Sequence, residues 1–375
     1  MKKINRKRDF MIKHNNHFHG SDLEKIEQIY HIKKEDIISF SANINPLGVS
    51  EELRKTLAEK IDAITTYPDR EYTSLRKSIG NYVNTDYNHI IVGNGSTELI
   101  SLFMEMIQPK NAVIIGPTYS EYEREISLGG GSSIYYPLRE EDNFKLDITS
   151  LEKELKAEVD LLVICNPNNP TSSAIKTTDM RRILDLCKER DIFVMVDATY
   201  VEFADYMETI TGIPLTKYYS NLLILRGVSK FFAAPGLRLG YAICGNIDLL
   251  KEVNKKKNPW TINSLAVIAG ETMFSDEEYI AQTKSLISSE RKRVCNILYE
   301  CKNIKVFPPA ANFVLVKILK KDITAEDLFE NAIKKGLMIR DCSTFPFLDQ
   351  KYIRFCFMSP KQNDALLKVL LESLN

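Results

Sequence analysis

No stretch of this sequence approaches the roughly 20 consecutive apolar residues that a membrane-spanning helix needs. Charge of one sign is not in excess: 50 Lys and Arg balance 50 Asp and Glu. That balance leaves no overall field to draw the chain to nucleic acid or to an anionic membrane. The seven cysteines are odd in number and scattered, with no CxxC pair. They argue against a disulfide framework and against a metal knuckle, and read as reduced residues of the core. Histidine is scarce, at five. His14, His17 and His19 cluster near the start, but no Cys or carboxylate pattern accompanies them, so no metal is expected. Internal repeats and low-complexity linkers are absent. The basic opening, Met1 to Arg8 with five Lys or Arg, lacks the apolar run of a secretory signal behind it. A cytoplasmic protein is expected.

What is present is a chain of 375 residues, 44% apolar and 27% charged, long enough for one large domain and a smaller one. Short apolar runs at 90–92, 112–115, 161–165, 192–196, 222–225 and 239–243 read as strands. Several are rich in β-branched residues without polar alternation, as strands buried on both faces are. Amphipathic segments such as 97–107 and 178–190 lie between them. The order predicts an α/β fold, a three-layer large domain with a mostly parallel sheet between helices. Beyond about residue 270 the pattern changes to a long helix over 276–299, strands at 304–307 and 313–316, a helix near 325–335 and a strand at 352–357. This reads as a smaller α+β C-terminal domain. The expected division is an N-terminal arm over 1–45 that joins the small domain, a large domain over 46–270 and a small domain over 271–375. Gly129-Gly130-Gly131 reads as a helix-to-strand turn, since no helix pattern follows it.

Ligands of such sheets gather at the carboxyl ends of the strands, and the unusual residues fall there. Ser229-Lys230 follows a buried strand, with Pro235-Gly236-Leu237-Arg238-Leu239-Gly240 close behind. An ammonium in that position must be paired or shifted in pKa. Condensation with an aldehyde resolves the cost and creates a covalent electrophile, and Arg238 can return to the same pocket to hold a phosphate. The plain alternative is a surface lysine at a turn. Asn169, in Asn166-Pro167-Asn168-Asn169-Pro170-Thr171, can donate to an oxygen in the cleft. Asp197 ends the next buried strand, with Tyr200 three residues on. A buried carboxylate needs a cationic or hydrogen-bonding partner: a protonated pyridine nitrogen would serve, and so would the role of helix N-cap. Gly93-Asn94-Gly95-Ser96-Thr97-Glu98 opens a helix after a strand, where backbone N–H groups make an anion site. Tyr119, after Gly116-Pro117, can stack on an aromatic ring or simply pack.

Taken in order, the anion cup, the aromatic, Asn-Pro-Thr, Asp-x-x-Tyr, Ser-Lys and Gly-Leu-Arg resemble the fold-type I pyridoxal phosphate (PLP) enzymes of the aspartate aminotransferase superfamily over essentially the whole chain. The resemblance implies Lys230 as cofactor lysine and catalytic base, Asp197 on the pyridine nitrogen, and Asn169 and Tyr200 on the ring hydroxyl. It implies Tyr119 stacked on the ring and Gly95, Ser96, Thr97, Ser229 and Arg238 around the phosphate. It also implies a homodimer in which Tyr67, in Tyr67-Pro68-Asp69, reaches the neighbouring site. Two positions depart from the pattern: Gly227 stands for a frequent hydroxyl residue, and Ser172 for the usual Gly after Asn-Pro-Thr.

Within the superfamily the sequence resembles the histidinol-phosphate aminotransferase branch, and inside it the threonine-phosphate decarboxylases of cobalamin biosynthesis. That likeness rests on His19-Gly20, on Phe40-Ser41-Ala42-Asn43-Ile44-Asn45-Pro46-Leu47-Gly48, on Asn258-Pro259-Trp260-Thr261-Ile262-Asn263 and on Ile339-Arg340-Asp341-Cys342-Ser343-Thr344-Phe345-Pro346. It implies His19, Asn43, Arg340 and Arg354 as contacts to the anions of a phosphorylated amino acid or amine. As a plain strand residue, Arg354 faces either the cleft or solvent. Departures are Ser21-Asp22 after His19-Gly20, Met358 where some relatives carry Arg, and Phe347 in place of a common Gly, which would narrow the pocket. Trp260 fits the core as well as a pocket wall. The expected reaction is PLP-dependent decarboxylation of L-threonine O-3-phosphate. The alternative is amino-group transfer to 2-oxoglutarate by a histidinol-phosphate-like aminotransferase.

Overall fold

The structure, a computed structural model, describes residues 22–375. Its strands are β1 (Ile38–Ser39), β2 (Ile90–Asn94), β3 (Asn111–Gly116), β4 (Ser132–Pro137), β5 (Leu161–Cys165), β6 (Phe193–Asp197), β7 (Leu222–Gly227), β8 (Leu239–Cys244), β9 (Ile304–Val306), β10 (Phe313–Ile318), β11 (Leu337–Met338), β12 (Arg340–Asp341) and β13 (Tyr352–Cys356). Seven form one sheet in the order β2-β8-β7-β6-β5-β3-β4. From β7 to β4 all neighbours run parallel, and β8 is antiparallel to both β7 and β2. The mostly parallel α/β sheet read from the sequence is the one observed.

The reason lies in the strand interiors. Every residue of β5, β7 and β8 is buried. Successive side chains serve opposite faces: Leu162 and Ile164 of β5 enter one apolar cluster, while Leu161, Val163 and Cys165 enter the other. β6 repeats the division, with Val194 and Val196 on one face and Met195 on the other. Asp197, two residues past Met195, therefore shares a face with Cys165. The edge strand β4 alternates between exposed and covered residues. The glycine run connects the helix Glu121–Leu128 to β4, as a helix-to-strand turn.

A second sheet, β12-β13-β10-β9, is antiparallel throughout. Beside it lies the helix Glu277–Tyr299, begun by Asp276, whose carboxylate accepts from the N–H of Tyr279. The closing helix Pro360–Leu374 starts with a capping box between Ser359 and Gln362. The N-terminal segment is tied in by β1, which pairs parallel with β11. Glu140 and Ser172 are among the residues that join the sheets. Glu140, just past β4, accepts from Lys317 and Tyr352, both at 2.6 Å. Ser172 accepts from the Ala311 N–H at 2.9 Å. Its φ is +59°, the left-handed region that glycine enters freely. That accounts for the glycine usual at this position and gives the serine hydroxyl a role of its own.

Behind the sheet's carboxyl end, Arg226 of β7 and Glu202, two residues past Tyr200, approach to 2.6 Å with side chains only 2% exposed. The Tyr82 hydroxyl donates to the same carboxylate at 2.7 Å. Losing one member of a buried pair strands the other charge in apolar surroundings, at about 3–5 kcal/mol. Arg226→Met should therefore lower unfolding free energy by about that amount in urea titrations. A change below about 1 kcal/mol would show that Glu202 finds another partner.

Candidate active site

The helix Gly95–Ile107 starts directly from β2. Gly95 has φ +79°, and a Cβ there would lie 2.3 Å from Nη2 of Arg238. A Cβ on Gly240 of β8 would lie 2.4 Å from the backbone nitrogen of Ser96. Gly95 is thus required by its left-handed φ and Gly240 by its close approach to backbone, and a guanidinium comes to lie against a helix N-terminus. Two positive poles side by side repel unless an anion lies between them. Ser96, Thr97, Ser229 and Arg238 line the same cavity, as the sequence reading expects of a phosphate cup.

That cavity measures about 730 Å³. On its wall Asp197, at the end of β6, is 6% exposed. Its Oδ1 accepts from the Thr199 N–H at 3.0 Å and the Thr199 hydroxyl at 2.6 Å, and its Oδ2 accepts from the Tyr122 hydroxyl at 2.6 Å. Lys230 stands in the loop after β7, its Nζ donating to the Ala42 carbonyl at 2.8 Å. Burial first, and then the charge of Arg354, bring the Lys230 amine down to about 8. Tyr119, Asn169, Tyr200 and Asn43 complete this part of the lining. Burial raises the Tyr200 phenol well above its ordinary range, so it remains an O–H, with the Asn43 amide 3.5 Å away.

The opposite wall belongs to the small sheet. Arg354, in the middle of β13, donates to the Asn169 side-chain oxygen and, at 2.5 Å, to the Ser41 carbonyl. It faces the cleft, not solvent. With its oxygen engaged, the Asn169 amide keeps its NH2 for a ligand. Arg340 of β12 is the direct cross-strand partner of Arg354. Its Nη2 donates to Thr344, and its guanidinium lies over the Phe345 ring. Burial and then the Arg354 charge lower the Arg340 pKa, with Asp341 and Asp22 acting the other way. Asp22, one of the departures from the family pattern, therefore acts on one of the cavity's arginines.

His19 lies outside the described residues. Tyr67 is not among the residues lining the cavity. It is 79% exposed and packs against Trp260 with ring centroids 4.9 Å apart. Phe347, expected to narrow the pocket, instead lies edge-on to Tyr135 outside the lining. Its φ of +67° explains why glycine is common there. Sequence reasoning missed Tyr122 and Thr199, the two residues that hold Asp197. The only available signal was the spacing of Tyr122, one helical turn from Tyr119.

A family model for aminotransferases of class I and II matches residues 35–370. The chain belongs to that family. It is therefore a PLP-dependent enzyme. The chain is 32% identical to the threonine-phosphate decarboxylase of Salmonella typhimurium, over 95% of this chain and 96% of that one. Its structure is similar to that of the histidinol-phosphate aminotransferase from Clostridium acetobutylicum, with a TM-score of 0.83 and 34% identity over 89% of this chain and 98% of that one. It is also similar to the L-threonine-O-3-phosphate decarboxylase from Porphyromonas gingivalis, at TM-score 0.78 and 26% identity over 89% and 98%. The cavity of this family member suits the cofactor. An anion cup held open by Gly95 and Gly240, a buried carboxylate and a buried amine depressed in pKa all open on one space.

The amine gives a direct check. In the cofactor-free protein, reaction of Lys230 with a small acylating reagent should be half-maximal near pH 8, whereas an ordinary lysine titrates near ~10.4. Peptide mapping of labelled protein across pH reads this out. An ordinary lysine profile at Lys230 would contradict the burial described.

Proposed function

We propose that the chain decarboxylates L-threonine O-3-phosphate to (R)-1-aminopropan-2-yl phosphate, with PLP carried on Lys230. The observation behind this reading is the register that sets Arg340 directly across from Arg354. Like charges at directly opposed positions of an antiparallel pair destabilise a sheet, and here both arginines line the cavity. Arg238 and the helix start answer the cofactor's phosphate. The arginine pair is then suited to a substrate carrying two more anionic groups, such as the carboxylate and phosphate of a phosphorylated amino acid. Resemblance to the Salmonella enzyme over 95% of the chain points the same way.

When bound, PLP supplies an electron sink conjugated to the substrate amine. The chain's own residues do the rest. Asp197 would hold the ring nitrogen and support positive charge there, Asn169 and Tyr200 would hold the ring hydroxyl, and Tyr119 would cover the ring. Gly95, Ser96, Thr97, Ser229 and Arg238 hold the phosphate. Arg340, Arg354, Asn43 and His19 would bind the substrate's anions and so select whether the Cα–carboxylate or the Cα–hydrogen bond is the one broken. In decarboxylation the Cα–carboxylate bond would break, CO2 would leave with the electron pair remaining at Cα, and Lys230, as its ammonium form, would return a proton there. The exposed Tyr67–Trp260 face suits a homodimer in which Tyr67 reaches the neighbouring cup.

A second reading has its own support. The 34% identity to the Clostridium acetobutylicum enzyme favours a histidinol-phosphate-like aminotransferase, in which the same arginine pair would receive the two carboxylates of glutamate. Incubation with L-threonine O-3-phosphate should release CO2 stoichiometrically, with no glutamate formed from 2-oxoglutarate. Glutamate formation from histidinol phosphate without CO2 would reject the decarboxylase. Each of Arg354→Gln and Arg340→Gln should lower kcat/KM by about 10- to 100-fold, the worth of one charged hydrogen bond. PLP affinity should stay within about threefold in the Arg340 variant.

A further inference from the structure

The Asp197 carboxylate offers about four in-plane acceptor directions, two on each oxygen. Thr199 occupies both directions on Oδ1, through its N–H at 3.0 Å and its hydroxyl at 2.6 Å. The Tyr122 hydroxyl, at 2.6 Å, occupies one direction on Oδ2. A single direction is left, and it belongs to Oδ2.

We infer that Tyr122 is a positioning residue for the cofactor: by donating to Asp197 Oδ2 it fixes the carboxylate plane and leaves the one free acceptor direction for the ring-nitrogen N–H. This rests on the assignment of Asp197 to the ring nitrogen made above. The hydroxyl is a committed donor, because Tyr122 is fully buried, and burial together with the Asp197 charge raises its pKa well above the ordinary value. Its ring is locked as well. It sits in the apolar cluster with Leu99, Phe103 and Ile126 and meets Tyr119 edge-on at 5.6 Å. The segment entering the helix Glu121–Leu128 and its first turn thus carry, in turn, the Tyr119 ring that lines the cavity and the Tyr122 donor that aims its carboxylate. No side-chain motion is available to Asp197 without breaking a bond to Tyr122 or Thr199.

A cofactor analogue separates this role from simple packing. In 1-deaza-PLP the ring nitrogen is replaced by carbon, so the contact with Asp197 is lost while phosphate, aldehyde and ring hydroxyl remain. The cofactor-free protein and Tyr122→Phe are each titrated with PLP and with 1-deaza-PLP. The wild-type chain should prefer PLP, and the variant should bind PLP about tenfold more weakly, the worth of an oriented hydrogen bond, with its deaza-PLP affinity unchanged. Equal weakening of both would overturn the inference and leave Tyr122 a packing residue. Unchanged PLP affinity would overturn it too. No preference in the wild type would overturn it together with the Asp197 assignment, which distinguishes the two failures. If Tyr122→Phe does not fold, 3-fluorotyrosine at position 122 keeps ring and hydroxyl and makes the donor stronger. A change confined to PLP then supports the inference, and identical shifts for both cofactors contradict it.

Discussion

Cationic groups crowd the walls of one largely buried cavity. Among the described residues lining it, Lys230, Arg238, Arg340 and Arg354 face a single carboxylate, Asp197. Buried charges are stable only when paired or hydrogen-bonded, or when the group gives up its charge. The structure uses the last two of these devices. Lys230 shifts towards the neutral amine. Arg354 donates to a side-chain amide and a backbone carbonyl, neither of which cancels charge. Arg238, exposed at the cavity's edge, stands against a helix N-terminus that adds to the positive charge. Positive potential therefore remains, and it suits ligands that are strongly anionic.

The fold supports this arrangement by bringing strand ends together. Asp197 and Lys230 come from the carboxyl ends of adjacent parallel strands, β6 and β7. Their positions are set by apolar strands with no freedom to slip, because a one-residue shift would turn every side chain to the wrong face. Arg354 connects the layers. It grows from the small sheet, donates to Asn169 after β5, and donates to Ser41 on the N-terminal segment. The guanidinium that meets the substrate in the proposed reaction also joins three separate stretches of chain, so substrate binding and the relation between the sheets are physically linked.

Much of this was legible in the sequence. The central strands announce themselves because both faces are buried, leaving continuous apolar runs. The short polar signatures at their ends, Asn169, Asp197, Lys230 and Arg238, stand out against those runs. β4 escaped because it is an edge strand with alternating exposure, and β1, β11 and β12 because two-residue strands carry no periodicity. The cross-strand pairing of Arg340 with Arg354 depends on register across a turn of variable length, which local pattern does not encode. Tyr122 was hidden for a related reason: an apolar helix face looks the same whether or not one of its hydroxyls reaches a carboxylate on the next layer. At Ser172 and Phe347 the glycine usual in the family pattern is explained by positive φ values that only the backbone reveals.

The central claim is that a single buried amine carries the cofactor. Loading the protein with PLP, reducing it with borohydride and mapping the peptides tests this most directly. The account requires a phosphopyridoxyl group on Lys230, together with loss of the yellow absorbance in Lys230→Ala. A stoichiometric label on any other lysine, or an undiminished chromophore in that variant, would contradict it.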